Sequence, residues 1–74
     1  MRIMTKLEQA RIKMGLSQTT LAADVGTYQP VISKLERMEG SSPFLVGIGI
    51  GLLTDLANYL SLEVEELTNA ADEE

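Results

Sequence analysis

Residues 16–37 contain two short amphipathic segments joined by a glycine, in the sequence LSQTTLAADVGTYQPVISKLER. Ser17 is suited to cap a helix in the first segment, and Leu21 and Val25 fall on one face at helical spacing. Gly26 follows at the point where a residue able to adopt positive φ ends a helix without strain. This pattern predicts two helices with a tight turn between them.

The second of these helices has a polar outer face that a self-contained core does not require. Its inward positions are Ile32 and Leu35, three residues apart. The outer face presents an amide, a hydroxyl and two cations at helical spacing, from Gln29, Ser33, Lys34 and Arg37. Such groups read base edges and contact phosphates. The sequence therefore predicts a surface for duplex DNA.

The order of these residues resembles the helix-turn-helix of the Cro and phage-repressor (XRE-like) family of transcription regulators. The elements GLSQ, LA, VG, Q and ISKLER match in register, and the resemblance extends from Leu7 to Arg37. Residues 52–67, LLTDLANYLSLEVEEL, are similar to the closing helix pair of that family. The resemblance implies an all-α, five-helix lambda-repressor-like DNA-binding domain.

The chain length fits one domain. A chain of 74 residues is near the lower limit for folding on a single core, so a second copy would help its stability. We expect one helix-turn-helix domain over residues 1–74, with its helix-turn-helix core at 17–37 and a disordered acidic end at about 71–74.

Three further helices are expected around this core. Thr5 is suited to cap the first, which should end near Gly15 with Leu7, Ala10 and Met14 facing inward. The fourth is expected from Leu52, and the fifth from Val64 to Ala70. Their predicted core positions are Leu53, Leu56, Ala57, Leu60, Leu62, Val64 and Leu67.

Residues 44–51, FLVGIGIG, form an insertion relative to the family pattern between the third and fourth helices. Three glycines alternate with two isoleucines there, and a period of two is typical of a short strand. Three glycines would also cost a helix about 1 kcal/mol each. The alternative is a close-packed start of the fourth helix. The pattern favours an extended or loop segment, which could pair with a symmetry mate.

Charge is distributed unevenly along the chain. The net charge is −5, but residues 1–39 carry all six cations and four acids, whereas residues 40–74 carry seven acids and no cation. This asymmetry suits a molecule with one face toward DNA and an acidic face turned away. The alternative is that the acidic end only keeps a small protein soluble.

Composition argues against catalysis and membrane insertion. The chain has no cysteine and no histidine, so thiolates and the commonest metal ligand and general base are absent from the sequence. We expect no enzymatic activity, no cofactor and no metal. The longest uncharged apolar run, residues 43–54, is too short to span a membrane, and the N-terminus lacks a signal-peptide pattern. A cytoplasmic protein is expected.

Four neighbouring residues are candidates for base contacts. Gln29 is the strongest, because its amide matches the N6 and N7 edge of adenine, although a glutamine on a helix is often merely solvated. Lys34 could donate to guanine or to a phosphate, with Ser33 beside it. Pro30 occupies a position where relatives often hold a polar reader, so it offers only van der Waals contact.

Flanking residues are candidates for contacts with the DNA backbone, one from the resemblance and three from their side-chain chemistry. Gln18 matches a family glutamine that contacts a phosphate and steadies the glutamine at the head of the third helix, with simple N-terminal capping as the alternative. The hydroxyls of Thr27 and Tyr28 lie in the turn, where they can meet phosphates, unless Tyr28 is a partly buried staple. Arg37 is assigned to a phosphate.

Two further residues match a structural pair of the family. Arg11 and Glu36 occupy the positions of a partly buried salt bridge that ties the first helix to the end of the third. Removing one partner should cost more than the pair contributes, because a charge is left stranded.

These features favour a sequence-specific DNA-binding transcription regulator that places its third helix in the major groove of a palindromic operator. A phage repressor or Cro-like protein, a restriction-modification controller and an antitoxin all fit. Because cations are few, we expect modest affinity per monomer and a homodimer whose recognition helices lie about 34 Å apart. The alternative is a protein-binding module whose acidic end and Gly-Ile segment hold a toxin or an RNA polymerase subunit.

Overall fold

The computed structural model describes residues 4–71 and consists, over that range, of four α-helices and two 3-10 helices. In chain order the elements are α1 (Lys6–Lys13), α2 (Gln18–Val25), α3 (Gln29–Glu36), η1 (Pro43–Val46), α4 (Ile50–Tyr59) and η2 (Val64–Glu66). The described residues contain no strand beyond one isolated antiparallel bridge between Thr5 and Ala70. The all-α class is confirmed.

The helix ends follow the local sequence. Thr5 caps α1 by accepting from the backbone N–H of Glu8 at 3.3 Å, and Ser17 caps α2 by accepting from that of Thr20 at 3.0 Å. Gly26 ends α2 at φ 83° and ψ 32°, a left-handed conformation that costs glycine little. The expected helix, tight turn and helix are therefore present.

One hydrophobic core joins all four α-helices. α2 packs against α3 and α4, and α1 also contacts α3. Each α-helix supplies at least one fully buried aliphatic side chain, and the segment after η2 adds another; these are Leu7, Leu21, Ile32, Leu35, Leu53, Leu56 and Leu67. Met14 was expected inside but is exposed, because α1 ends at Lys13 and Met14 is its C-cap.

The prediction of a fifth α-helix from Val64 to Ala70 is wrong. Only the three residues of η2 are helical, and the chain then turns. The carbonyls of Leu67 and Asn69 accept hydrogen bonds from the backbone N–H groups of Leu7 and Lys6, at 3.2 and 2.8 Å. Backbone groups used in this way cannot continue a helical ladder, so the segment is tied to the start of α1 instead.

The extended or loop segment expected at residues 44–51 is corrected in part, because only residues 47–49 lie outside a helix. Pro43 and Val46 are buried, and their spacing of three matches the period of the 3-10 helix that contains them. Gly47 then turns the chain at φ 92°, and α4 begins at Ile50, two residues before the expected start. No strand forms in this part of the described chain, because the left-handed turn at Gly47 and the start of α4 leave too few consecutive residues for an extended run.

The C-terminal end was expected to be disordered from about residue 71. Ala71 is described, and its N–H donates to the carbonyl of Met4 at 2.8 Å. Residues 72–74 lie outside the described residues. Among the helices of residues 4–71, none has both the length and the apolar character needed to cross a membrane.

Candidate nucleic-acid interface

The surface of α3 begins directly after the turn at Gly26. Tyr28 is the N-cap of α3 in an extended conformation, and Gln29 is the first helical residue. Pro30 lies in the first turn, where its missing N–H removes no intrahelical hydrogen bond. The turn at Gly26 and the proline together fix the direction in which α3 begins relative to α2.

The predicted reading residues lie on the outer side of α3. Pro30, Lys34 and Arg37 are exposed, while Gln29 and Ser33 are half-buried. None of these five residues is fully covered by the rest of the described chain. The surface of α3 is therefore accessible to a ligand, whereas Ile32 and Leu35 on the opposite side are in the core.

The head of α3 is tied to α2 by side-chain amides. Gln29 donates from Nε2 to Oε1 of Gln18 at 2.6 Å. Gln18 in turn donates from Nε2 to Oε1 of Glu36 at 2.7 Å. The bond to Gln18 uses one of the two amide hydrogens of Gln29, so its other hydrogen and its Oε1 have the pattern that an adenine edge requires.

Arg11 holds the carboxylate at the other end of this chain of hydrogen bonds. Its Nε donates to Glu36 Oε2 at 2.6 Å, and its Nη2 donates to Oε1 at 3.2 Å. Its Nη1 also donates to the carbonyl of Leu16 at 2.8 Å. The Arg11 and Glu36 side chains are 13% and 4% exposed, so this is a two-pronged, largely desolvated ion pair.

Gln29, Gln18, Glu36 and Arg11 therefore form one continuous polar chain, which we call the polar relay. It joins α1, α2 and both ends of α3 through side chains alone. Among the described residues no buried side-chain nitrogen or oxygen lacks a hydrogen-bond partner. A fully satisfied network of this kind holds its members in one arrangement.

The remaining predicted contacts have different surroundings. Tyr28 is 78% exposed, so it is not the partly buried staple considered as an alternative. Thr27 is half-buried, and its backbone N–H donates to the carbonyl oxygen of Ala22 at 2.8 Å. Arg37 donates from Nη1 to the hydroxyl of Ser33 one turn earlier. A hydrogen bond thus connects Ser33 and Arg37, whereas Thr27 and Tyr28 are not members of the polar relay.

Positive charge on this surface is sparse. On α3 and its C-cap the exposed cations are Lys34 and Arg37. Arg11 is committed to Glu36, and Lys6 pairs with Glu66 at 3.2 Å on another part of the molecule. A phosphate-binding surface with so few cations provides little non-specific affinity.

One hydrogen bond between two helices was not predictable from the sequence. The hydroxyl of Tyr59 on α4 donates to Oδ2 of Asp24 on α2 at 2.6 Å. This hydrogen bond to the carboxylate is the main cause that raises the pKa of Tyr59 above its ordinary value. The two residues are 35 positions apart, so neither periodicity nor a local motif could pair them.

The fold and the surface of α3 define a helix-turn-helix DNA-binding domain. A family model described as Helix-turn-helix matches residues 7–43, half of the chain. The chain belongs to the Cro and phage-repressor (XRE-like) helix-turn-helix family, whose domain is a DNA-binding regulatory one rather than an enzymatic one. No curated protein and no solved structure matches the chain significantly.

Proposed function

We propose that this protein is a sequence-specific transcription regulator, of the repressor, Cro-like or controller-like kind, that binds a palindromic operator as a homodimer. α3 lies in the major groove, and the protein acts by occupying DNA rather than by catalysis. The observation that supports this proposal is the polar relay, which holds the amide of Gln29 at the head of an accessible helix.

A held amide improves base recognition for a physical reason. Ordering a free glutamine side chain on binding costs rotamer entropy, whereas Gln29 is already held by Gln18. Its remaining donor and acceptor can then engage adenine N7 and N6 together. Ser33 and Lys34 follow one turn later, where Lys34 contacts a guanine or a phosphate.

Phosphate contacts in this proposal come from the edges of the surface. Side chains with suitable hydroxyl, amide or guanidinium groups are Gln18, Thr27, Tyr28 and Arg37. Pro30 contributes van der Waals contact only. Because so few of these groups are cationic, each monomer binds weakly, and two recognition helices about 34 Å apart are needed on one operator.

Selection from a random oligonucleotide pool tests this function. The purified protein is incubated with random duplexes in low and moderate salt, and bound sequences are amplified and read. We expect an enriched inverted repeat with half-sites about 10 base pairs apart, centre to centre. Failure to enrich any sequence, with binding that disappears equally for all duplexes in moderate salt, would contradict the proposal.

A protein-binding module, such as an antitoxin on the same scaffold, is the second candidate. It is favoured by the exposed apolar side chains of Phe44 and Leu45 and by the scarcity of cations on α3. The selection experiment separates the two functions, because a module that holds only a protein partner enriches no DNA sequence.

A further inference from the structure

All the hydrogen bonds of the polar relay lead toward one carboxylate. Arg11 donates to Glu36 at 2.6 and 3.2 Å, and Gln18 donates to it at 2.7 Å. Gln29 in turn donates to Gln18 at 2.6 Å. An arginine can only donate and an ionised carboxylate can only accept, whereas a glutamine amide can do both. The ion pair therefore fixes the direction in which the two amides donate.

The direction passes from Glu36 to Gln29 through one amide. Because Glu36 Oε1 is an acceptor, Gln18 has to turn its Nε2 toward it. The Oε1 of Gln18 then faces Gln29, which offers its own Nε2. Turning both amides around would set the Oε1 of Gln18 against the carboxylate, where two acceptors repel. The Glu36 side chain is 4% exposed, so an unmatched acceptor there carries most of the cost of desolvation.

This direction determines which groups Gln29 retains for a base. One amide hydrogen is used by Gln18, so one hydrogen and Oε1 remain. Adenine presents an acceptor, N7, and a donor, N6, in the major groove, and it satisfies both groups. Guanine presents two acceptors, N7 and O6, so it would accept one hydrogen bond and set O6 against Oε1 of Gln29. In the reversed direction both hydrogens would be free, and guanine would be the better partner.

We propose that Glu36 is a positioning residue for specificity, which makes Gln29 select adenine over guanine by fixing the direction of the polar relay. The inference rests on the proposed function, in which Gln29 faces a base. The choice between the two purines is then made at the buried last residue of α3, and not on its exposed surface. Arg11 supports this choice by holding both oxygens of the carboxylate.

Glu36→Gln tests the proposal, because it reverses the direction with almost no change of size. Arg11 would hold the oxygen of the new amide, whose nitrogen would donate to Gln18. Gln18 would then donate to Oε1 of Gln29 and leave both of its hydrogens for a base. Binding is measured to operators with A·T or G·C at the base pair whose recognition Gln29→Ala abolishes. We expect the parent to prefer A·T by about 5- to 150-fold, and Glu36→Gln to prefer G·C.

The matched control is Glu66→Gln. It makes the same change of charge at a carboxylate that pairs with Lys6 on another part of the molecule. Its adenine preference should equal that of the parent. If Glu66→Gln also loses the preference, the effect comes from net charge and the proposal is overturned.

A second variant, Gln18→Ala, keeps the test decisive if circular dichroism shows that Glu36→Gln does not fold. It leaves the ion pair of Arg11 and Glu36 in place and frees both hydrogens and the oxygen of Gln29. Its preference between A·T and G·C should fall to within about twofold of unity. An adenine preference that Glu36→Gln or Gln18→Ala retains in full overturns the proposal.

Hydrogen exchange of side-chain amides in the free protein tests the direction without DNA. One Nε2 hydrogen of Gln29 should exchange with water more slowly in the parent than in Gln18→Ala, where its partner is absent. In Glu36→Gln this protection should disappear. A parent without the protection, or a Glu36→Gln variant that keeps it, overturns the proposal. A protein that enriches no DNA sequence contradicts the proposed function and with it the choice of base, whereas amide exchange reports on the relay alone.

Discussion

Gln29 donates from Nε2 to Oε1 of Gln18 at 2.6 Å, and this bond links the first residue of α3 to the first residue of α2. The bond connects the exposed surface to the interior, because Gln18 is itself bonded to Glu36, whose side chain is 4% exposed. In the proposed function, the base-reading amide of Gln29 is thereby held in place by two residues behind it, Gln18 and Glu36. Substitutions in the buried half of the polar relay should consequently alter both stability and recognition.

Arg11→Met should destabilise the fold by about 3–5 kcal/mol, because it strands the buried Glu36 carboxylate with Gln18 as its remaining side-chain partner. Urea unfolding followed by circular dichroism measures the loss. The matched control is the double variant Arg11→Met with Glu36→Met, which removes both charges and should lose less stability than Arg11→Met alone. A double variant as unstable as the sum of the two single ones would contradict this view of the pair.

Gly26→Ala should cost about 1–2 kcal/mol of stability, because alanine is strained at the φ of 83° that ends α2. A Cβ there would meet no heavy atom of the described chain within 4 Å, so the cost comes from the backbone and not from a clash. Thermal unfolding at low protein concentration measures it. Gly51→Ala, at a helical position with ordinary φ, serves as the control and should gain up to about 1 kcal/mol. Equal effects at both positions would refute this explanation.

Arg37→Ala should weaken binding to every DNA sequence alike and reduce the slope of log K against log salt by roughly one. Fluorescence anisotropy over a salt series measures that slope. Ser33→Ala is the control, since it removes the hydroxyl that Arg37 contacts but no charge. It should leave the slope unchanged. An unaltered slope in Arg37→Ala would exclude Arg37 from the phosphate contacts.

Stability should fall in acid partly through Glu66. The carboxylate of Glu66 accepts a hydrogen bond from the backbone N–H of Glu63 and a second one from Lys6. These bonds, the first more than the second, lower the pKa of Glu66 below its ordinary value of 4.5. A carboxylate whose pKa is lower in the folded than in the unfolded state stabilises the fold at pH values above its unfolded pKa. It loses that contribution as the pH falls through its folded pKa. Stability should therefore decline as pH falls below about 4.5.

Glu66→Gln tests that pH dependence. The amide oxygen can still accept the bond from the Glu63 N–H, but the side chain no longer titrates. Urea midpoints measured from neutral pH to acid should fall less steeply in this variant than in the parent, because other carboxylates still titrate in both. Parallel curves would show that Glu66 contributes nothing to acid sensitivity.

The sequence predicted the first three helices because each has a local signal. Thr5 and Ser17 cap helices through their own hydroxyls, and Gly26 supplies the left-handed turn. These are short-range effects that a single sequence displays directly. The outer face of α3 was predictable for the same reason, since helical spacing alone separates Gln29 from Ile32.

The parts that sequence reasoning missed depend on long-range contacts. The fifth helix was replaced by one 3-10 turn because Leu67 and Asn69 bond to the start of α1, some 60 positions away in sequence. The alternating glycines at positions 47, 49 and 51 suggested a strand, but Gly47 turns the chain at φ 92° after η1 and Gly51 already belongs to α4. The hydrogen bond between Tyr59 and Asp24 likewise joins residues that only tertiary packing brings together.

Gln29→Ala tests the reading surface of α3 most directly. The parent, Gln29→Ala and the control Asn58→Ala, which removes an exposed amide from α4, are compared by competition binding against every single-base variant of the selected operator. We predict that Gln29→Ala loses about 1–3 kcal/mol of discrimination at one base pair in each half-site and keeps its fold, while Asn58→Ala retains the full profile. If Gln29→Ala ranks all operator variants as the parent does, α3 does not read DNA through this residue.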